Sequence, residues 1–158
     1  MLELISDSTG KTKLIGKYIG EVLKAKDVLA LFGELGAGKT VFIQGLALGL
    51  GISDIPVSPS FVIINEYQGK IPLYHVDLYR LSEGRDIEEL GIEEYFEKSG
   101  VTVIEWAERA REFLPETSIN IEIDILDESK RKIRISGEDI ERFKKILLEH
   151  KLIKEKNG

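Results

Sequence analysis

Residues 33–40 read Gly-Glu-Leu-Gly-Ala-Gly-Lys-Thr and fit the phosphate-binding pattern G-x-x-x-x-G-K-[ST] at every defined position. In such a turn several backbone N–H groups point at one spot, where the following helix adds the positive end of its dipole. Lys39 supplies a point charge for the β- and γ-phosphates, and the hydroxyl of Thr40 suits a Mg²⁺ ligand. We therefore expect this segment to bind a nucleoside triphosphate. The expected contacts are Glu34, Leu35, Gly36, Ala37, Gly38, Lys39 and Thr40.

The segments on either side of this loop match the strand–loop–helix context that gives the pattern its mechanism. Residues 28–32 form an apolar run typical of a buried strand, and residues 41–50 have the pattern of a helix. The alternative is a glycine-rich turn with a chance lysine, and the two flanking segments argue against it.

Two carboxylates each close an apolar run further along the chain. Asp77 follows Leu-Tyr-His-Val, and Glu105 follows Val-Thr-Val-Ile. If both runs are strands parallel to residues 28–32, their ends meet the phosphate-binding loop at one edge of the sheet. A phosphate-loop hydrolase needs a carboxylate to hold Mg²⁺ and a group to orient water, and these two acids are the candidates. The alternative for each is an exposed acid at a strand end.

Three further features have both a functional and a structural interpretation. The turn Ser58-Pro-Ser-Phe61 carries hydroxyls that could sense a γ-phosphate, although Ser-Pro pairs commonly only form turns. His75 lies on an expected strand, where a histidine is more often structural than catalytic. Trp106 is either part of the core or a surface on which a base stacks. The chain lacks an Asn-Lys-x-Asp type segment of guanine-specific switches, so ATP is favoured over GTP.

Helix and strand patterns alternate through the first half of the chain, which predicts a largely parallel central sheet covered by helices. Ser8-Thr9 offers an N-cap for a helix with an apolar face. Residues 61–67 and 71–76 are expected to be strands joined as a hairpin.

The second half of the chain predicts helical turns at 86–98 and then an antiparallel strand pair. Residues 119–125 alternate strictly between apolar and polar types, and residues 131–135 are the expected partner strand. We expect one α/β domain of the P-loop NTPase type over residues 1–158, with a C-terminal helix at about 138–154.

Composition limits the class of protein. The chain has 158 residues and no cysteine, which excludes disulfides and thiol chemistry. Its net charge of −6 argues against a protein that binds nucleic acid without a partner. No apolar stretch approaches the ~20 residues of a membrane span, and the N-terminus lacks the residue order of a signal peptide. A cytoplasmic protein without membrane contact is expected.

Taken together, four segments resemble the TsaE (YjeE) family, bacterial ATPases required for threonylcarbamoyladenosine (t6A) modification of tRNA. The segments are residues 33–40, Ser58-Pro-Ser-Phe61, His75-Val-Asp-Leu-Tyr-Arg80 and Ile104-Glu-Trp106, and they match in order and spacing. Segments 65–67 and 90–95 fit as well. The chain departs from the usual family pattern at Ser60, where a threonine is usual, and at Val41, where a second threonine commonly follows the lysine.

The resemblance implies roles for individual residues. Lys39 and Thr40 would contact the phosphates and Mg²⁺, and Glu105 would be the second group of the metal site. Asp77 would be the acid needed for hydrolysis. The expected catalytic residues are therefore Lys39, Asp77 and Glu105, and the expected metal ligands are Thr40 and Glu105.

The resemblance also implies an adenine site, an activity and partners. Residues near Thr9 and Arg131 would approach the adenine. The activity would be a Mg-dependent ATPase, slow alone, that resets the threonylcarbamoyl transferase complex between turnovers during modification of adenosine 37. That complex consists of a catalytic subunit and its paralogous partner, and it would hold the tRNA, so that contact with tRNA is indirect.

Two other activities are compatible with a phosphate-binding loop. A small-molecule kinase would need a lid with arginines and an acceptor pocket, and Arg80 and Arg85 are the arginines expected near the site. A non-hydrolysing binding module would use the nucleotide only to change its shape.

Overall fold

The computed structural model describes residues 1–54, 63–81 and 84–154. The turn Ser58-Pro-Ser-Phe61 lies outside the described residues, so its expected role as a switch segment stays a prediction. The strands are β1 (Leu2–Ser6), β2 (Val28–Phe32), β3 (Ile64–Tyr67), β4 (Leu73–Asp77), β5 (Val101–Glu105), β6 (Ile119–Ile125) and β7 (Arg131–Gly137). The helices are α1 (Thr9–Glu21), α2 (Lys39–Gly49), α3 (Gly84–Leu90), α4 (Ile92–Phe96) and α5 (Glu141–Glu149), with 3₁₀ turns at Ala107–Phe113.

The described strands form one seven-stranded sheet in the order β1-β7-β6-β2-β5-β4-β3. The four central strands β6, β2, β5 and β4 are mutually parallel, and the pairs at the two edges are antiparallel. This arrangement confirms the predicted α/β fold of the P-loop NTPase type, the hairpin formed by β3 and β4, and the antiparallel pair formed by β6 and β7.

Side chains of the central strands alternate between two apolar layers, as the period of two residues requires. Leu29 and Leu31 of β2 pack with α1, α2 and α5 on one face of the sheet. Val28 and Ala30 pack on the other face with α3, α4 and the 3₁₀ turns. Because helices cover both faces, the central strands are almost continuously apolar.

The bounds of two helices, α2 and α5, differ from the sequence-based expectation. α2 begins at Lys39 rather than at residue 41, because the left-handed conformation of Gly38 (φ 104°) ends the loop directly before it. α5 covers Glu141–Glu149, which is shorter than the expected stretch 138–154. The positive φ angles of Asp139 (55°) and Lys151 (58°) explain both limits of α5, since a right-handed helix cannot run through them.

Four glycines let α1 and α2 pack backbone against backbone. A Cβ atom on Gly45 would overlap the carbonyl oxygen of Lys13, and one on Gly16 would overlap that of Phe42. Gly20 and Gly49 are in the same situation one turn further along. This contact fixes α2, and with it the loop that precedes α2, against the rest of the sheet. None of the described helices is long and apolar enough to cross a membrane.

Candidate functional site

The loop between β2 and α2 lies at the carboxyl ends of the parallel strands, where α/β sheets place their ligands. Gly36 (φ 83°) and Gly38 (φ 104°) have the left-handed conformation that residues with a Cβ rarely adopt. A Cβ on Gly33 would stand 2.8 Å from the carbonyl oxygen of Ile123, so only glycine fits there. The loop therefore turns sharply into α2, whose first turn begins directly beside it.

The side chain of Lys39 is folded back into this loop. Its Nζ donates a hydrogen bond of 2.7 Å to the carbonyl oxygen of Gly33 and lies 3.6 Å from the centre of the Trp106 ring. Only 5% of Lys39 is exposed, and burial lowers the pKa of its ammonium group, an effect that the nearby carboxylate of Glu105 opposes. A small movement of this side chain would bring its ammonium group to an anion bound beside the loop.

Asp77 and Glu105 are direct neighbours in the sheet. They are paired Cα positions of the parallel strands β4 and β5, and both line one cavity with Lys39. Asp77 Oδ1 accepts a hydrogen bond of 2.9 Å from the N–H of Tyr79. Burial raises the pKa of Asp77, and the charge of Glu105 raises it further, whereas the Tyr79 hydrogen bond lowers it. The arrangement thus concentrates negative charge opposite the lysine.

Glu105 is bound from within the sheet by a histidine. His75 Nε2 lies 2.6 Å from Glu105 Oε2, and both side chains are almost completely buried. The residue pattern favoured a structural interpretation of His75, because nothing in it shows that an acid lies beside this histidine. The contact joins residues 30 positions apart and depends on the pairing of β4 with β5.

Arg109 is not part of the cavity lining, but it supports residues that are, and the sequence analysis missed it. Its Nη1 donates to the carbonyl oxygens of Leu78 (3.0 Å), Leu81 (3.4 Å) and Tyr79, and its Cζ lies 5.3 Å from the centre of the Trp106 ring. Arg109 therefore fastens the segment that follows Asp77 to the 3₁₀ turns. No sequence signal marks this position, since it falls in a stretch without helix or strand periodicity.

The two arginines expected near the site are placed differently. Arg80 lines the cavity. Arg85 forms a solvent-exposed ion pair with Glu89 on α3, with 3.3 Å between Nε and Oε1, and is not part of the cavity lining.

The cavity has a volume of about 730 Å³ and contains most of the predicted site residues. The predicted residues that line it are Thr9, Leu35, Gly36, Ala37, Gly38, Lys39, Thr40, Asp77, Glu105 and Arg131. Glu34 is the exception, because it does not belong to the lining. Tyr79 and Trp106 form an aromatic wall, with ring centres 5.1 Å apart.

Arg131 holds the phosphate-binding loop from the opposite side. Its Nε donates to the carbonyl oxygen of Ala37 (3.0 Å) and its Nη2 to that of Gly36 (3.3 Å), across 94 and 95 positions of the chain. Its Nη1 donates to the carbonyl oxygen of Asp127 in the β6–β7 turn (2.8 Å). The guanidinium thus clamps the loop to the start of β7.

The donor set near Lys39 fits a magnesium ion. Thr40 stands in the first turn of α2, and the Asp77 and Glu105 carboxylates share the cavity with it. Mg²⁺ prefers oxygen ligands and is usually held by one or two carboxylates together with phosphate oxygens and water. Hydroxyl and carboxylate oxygens at one edge of the cavity are the protein ligands that such a site needs.

The parallel strands, the glycine-rich loop after β2 and the cavity at their carboxyl ends define an α/β protein of the phosphate-loop class. A family model described as "Threonylcarbamoyl adenosine biosynthesis protein TsaE" matches residues 6–133. The chain belongs to the TsaE family, whose members take part in t6A biosynthesis in tRNA.

Individual relatives agree with this assignment. A Bacillus subtilis (strain 168) protein named tRNA threonylcarbamoyladenosine biosynthesis protein TsaE is 46% identical over 128 residues, covering 80% of this chain and 80% of the relative. A protein of the same name from Treponema pallidum (strain Nichols) is 39% identical over 135 residues, covering 85% and 100%. The crystal structure of YdiB from Bacillus subtilis matches with a TM-score of 0.75 at 38% identity, covering 94% of this chain and 92% of that chain.

Proposed function

We propose that this protein binds and hydrolyses Mg-ATP in the cavity beside α2, and that it does so as an accessory ATPase of tRNA t6A modification. The observation that carries the proposal is the arrangement of three charged side chains. Lys39, the first residue of α2, lines the same cavity as the paired acids Asp77 and Glu105. Phosphoryl transfer depends mainly on positioning and on charge stabilisation, and these residues supply both.

Each residue has a defined task in this proposal. The N–H groups of residues 36–40 and the Lys39 ammonium bind the phosphates, and the lysine moves from the Gly33 carbonyl oxygen to a phosphate oxygen. Thr40 and Glu105 are the protein ligands of the metal site. When bound, Mg²⁺ neutralises charge on the β- and γ-phosphates. Asp77 orients the attacking water.

The nucleoside lies at the other end of the cavity. Thr9 at the start of α1 and Arg131 at the start of β7 line the cavity and are the proposed neighbours of the adenine. Arg131 contributes chiefly by shaping the loop, because its guanidinium is already engaged with the Gly36 and Ala37 carbonyl oxygens.

The partners in this proposal are the two threonylcarbamoyl transferase subunits, and the compartment is the cytoplasm. The names of the relatives associate them with tRNA modification. The net charge of −6 on this chain disfavours tRNA binding without a partner protein. Hydrolysis on this protein would reset the transferase between turnovers, with tRNA contacted through the partners.

The direct test is incubation of the purified protein with Mg-ATP, with free phosphate and phosphorylated small molecules measured separately. Free phosphate alone supports the ATPase. A phosphorylated acceptor would instead indicate a kinase, and binding without either product would indicate a nucleotide-dependent binding module.

The accessory role is tested by adding the transferase subunits and then tRNA to the same assay. We expect a slow basal rate that the subunits raise, because charge stabilisation around the γ-phosphate is often completed by a partner. A fast basal rate that neither addition changes would contradict the accessory role and leave a self-contained ATPase.

A further inference from the structure

We infer that His75 is a positioning residue of the site: its imidazole holds the Glu105 carboxylate in the orientation in which one oxygen faces the cavity. The inference deepens the proposed ATPase function and rests on it. The central observation is the buried contact between His75 Nε2 and Glu105 Oε2 at 2.6 Å.

His75 lies in apolar surroundings, where its imidazole needs a hydrogen-bond partner. The imidazole is fully buried on β4, and its paired position on β5 is the aliphatic residue Val103. A polar ring in such a place is costly unless it is hydrogen-bonded. Nδ1 has no hydrogen-bond partner in the part of the chain that the structure describes. The bond to Glu105 is thus what compensates its burial, and an aliphatic side chain would otherwise suit the position better.

The bond also decides how Glu105 can be used. A carboxylate that serves as a metal ligand only accepts hydrogen bonds, so we assign Nε2 as the donor of a charge-assisted bond, which is strong at this length. With Oε2 fixed by His75, the carboxylate cannot rotate freely beside its strand neighbour Asp77. Oε1 is then left for the cavity that Glu105 lines. Partners that orient metal-binding side chains typically account for about 10- to 100-fold in metal affinity or activity.

The first test compares His75→Gln with His75→Leu. The Gln amide nitrogen reaches roughly the place of Nε2 and keeps a donor, whereas Leu removes it at similar volume. We expect His75→Leu to lower kcat about 10- to 100-fold and to raise the Mg²⁺ concentration that gives the half-maximal rate. His75→Gln should stay within a few-fold of the wild type. Equal values for the two variants, at any level of thermal stability, would overturn the inference.

The second test needs no hydrolysis and no variant at His75. The chain has two histidines, and His150 is exposed and stacked on Tyr18, so it serves as an internal control for ¹⁵N-histidine NMR. In the nucleotide-free protein we expect a slowly exchanging proton on His75 Nε2. Glu105→Gln should shift that nitrogen and leave His150 unchanged. Rapid exchange at Nε2, or no response to Glu105→Gln, would overturn the inference.

The two tests separate the inference from the proposed function. A wild-type protein that releases no phosphate refutes the ATPase, whatever the NMR spectrum shows. A wild-type protein that releases phosphate while the Leu and Gln variants behave alike refutes only the role of His75.

Discussion

At the scale of single residues, burial sets the charge balance of the site. Lys39 and Asp77 both lie in the cavity with part of their hydration removed. Burial lowers the pKa of Lys39 and raises the pKa of Asp77, so it favours the neutral form of each. A site that holds charged groups in this way is strained in the absence of a ligand, because each charge lacks the solvation that it has in the unfolded chain. Residues needed for function therefore reduce the stability of the fold at this place.

Asp77→Asn should raise the melting temperature of the nucleotide-free protein at pH 7. Between the ordinary aspartate pKa of 3.8 and the raised native pKa, the folded state binds more protons at Asp77 than the unfolded chain. Stability therefore falls as pH rises through that window, and the cost persists above it. The asparagine side chain keeps an oxygen for the Tyr79 N–H without the charge.

The gain in melting temperature should shrink as the pH falls through that window and disappear at about pH 3 and below, where Asp77 is mostly protonated in both states. Thermal unfolding followed by circular dichroism at pH 7 and at about pH 3 measures it, with substitution of the exposed Asp54 (Asp54→Asn) as matched control. A gain of equal size at both pH values, or destabilisation at pH 7, would contradict the assigned effect of burial.

Trp106 should report the movement of Lys39. It is the only tryptophan of the chain, and the Lys39 ammonium lies 3.6 Å from its ring centre. A phosphate that draws the lysine away removes a charge from the indole, so tryptophan emission should change on titration with Mg-ATP, with the dissociation constant obtained by calorimetry. Lys39→Met should already have altered emission without nucleotide. Calorimetric binding without any change in wild-type emission would show that the lysine stays on the ring.

At the scale of helices and strands, the α1–α2 contact positions the phosphate-binding loop. Glycine weakens a helix by about 0.5–1 kcal/mol relative to alanine, yet α1 and α2 together place four glycines at their contact. The close approach of the two backbones is what this composition achieves. Because α2 carries Lys39 and Thr40, the contact also determines where those side chains stand.

Gly45→Ala should destabilise the protein, although alanine is the better helix former. Its Cβ would meet the backbone of α1 at Lys13 and Lys17, which has no flexible end that can move away. Overpacking of this kind costs about 1–3 kcal/mol. Gly10→Ala is the matched control, since the nearest atom to its Cβ is Ser8 Oγ at 3.9 Å, and it should be neutral or slightly stabilising. Chemical denaturation of both variants decides the matter, and similar effects of the two changes would refute the close-packing account.

For the molecule as a whole, local sequence patterns were sufficient to predict the strands, whereas the contacts that support the site depend on the tertiary fold. The apolar runs before Asp77 and Glu105 were sufficient to predict strands and to predict that their ends meet. The clamp of Arg131 on Ala37 could not be predicted in the same way, because it spans 94 positions and depends on where β7 joins the sheet. Arg109 was missed because its hydrogen bonds go to backbone carbonyl oxygens, which leave no trace in the sequence.

In the proposed mechanism Lys39 binds the nucleotide, while Asp77 and Glu105 act in its hydrolysis. Measurement of ATP affinity and single-turnover phosphate release on the same samples of Lys39→Ala, Asp77→Ala and Glu105→Ala separates these two roles. Loss of a charge-assisted hydrogen bond of ~1.5–3 kcal/mol should weaken ATP binding by Lys39→Ala about 10- to 100-fold.

The two acid variants should keep most of their ATP affinity and lose about 100-fold or more in hydrolysis, the scale of removing a positioned catalytic group. Lys13→Ala removes an exposed lysine of α1 and changes the net charge as Lys39→Ala does, so it is the charge control for Lys39→Ala. Wild-type hydrolysis rates in both Asp77→Ala and Glu105→Ala, or unchanged ATP affinity in Lys39→Ala, would contradict the account.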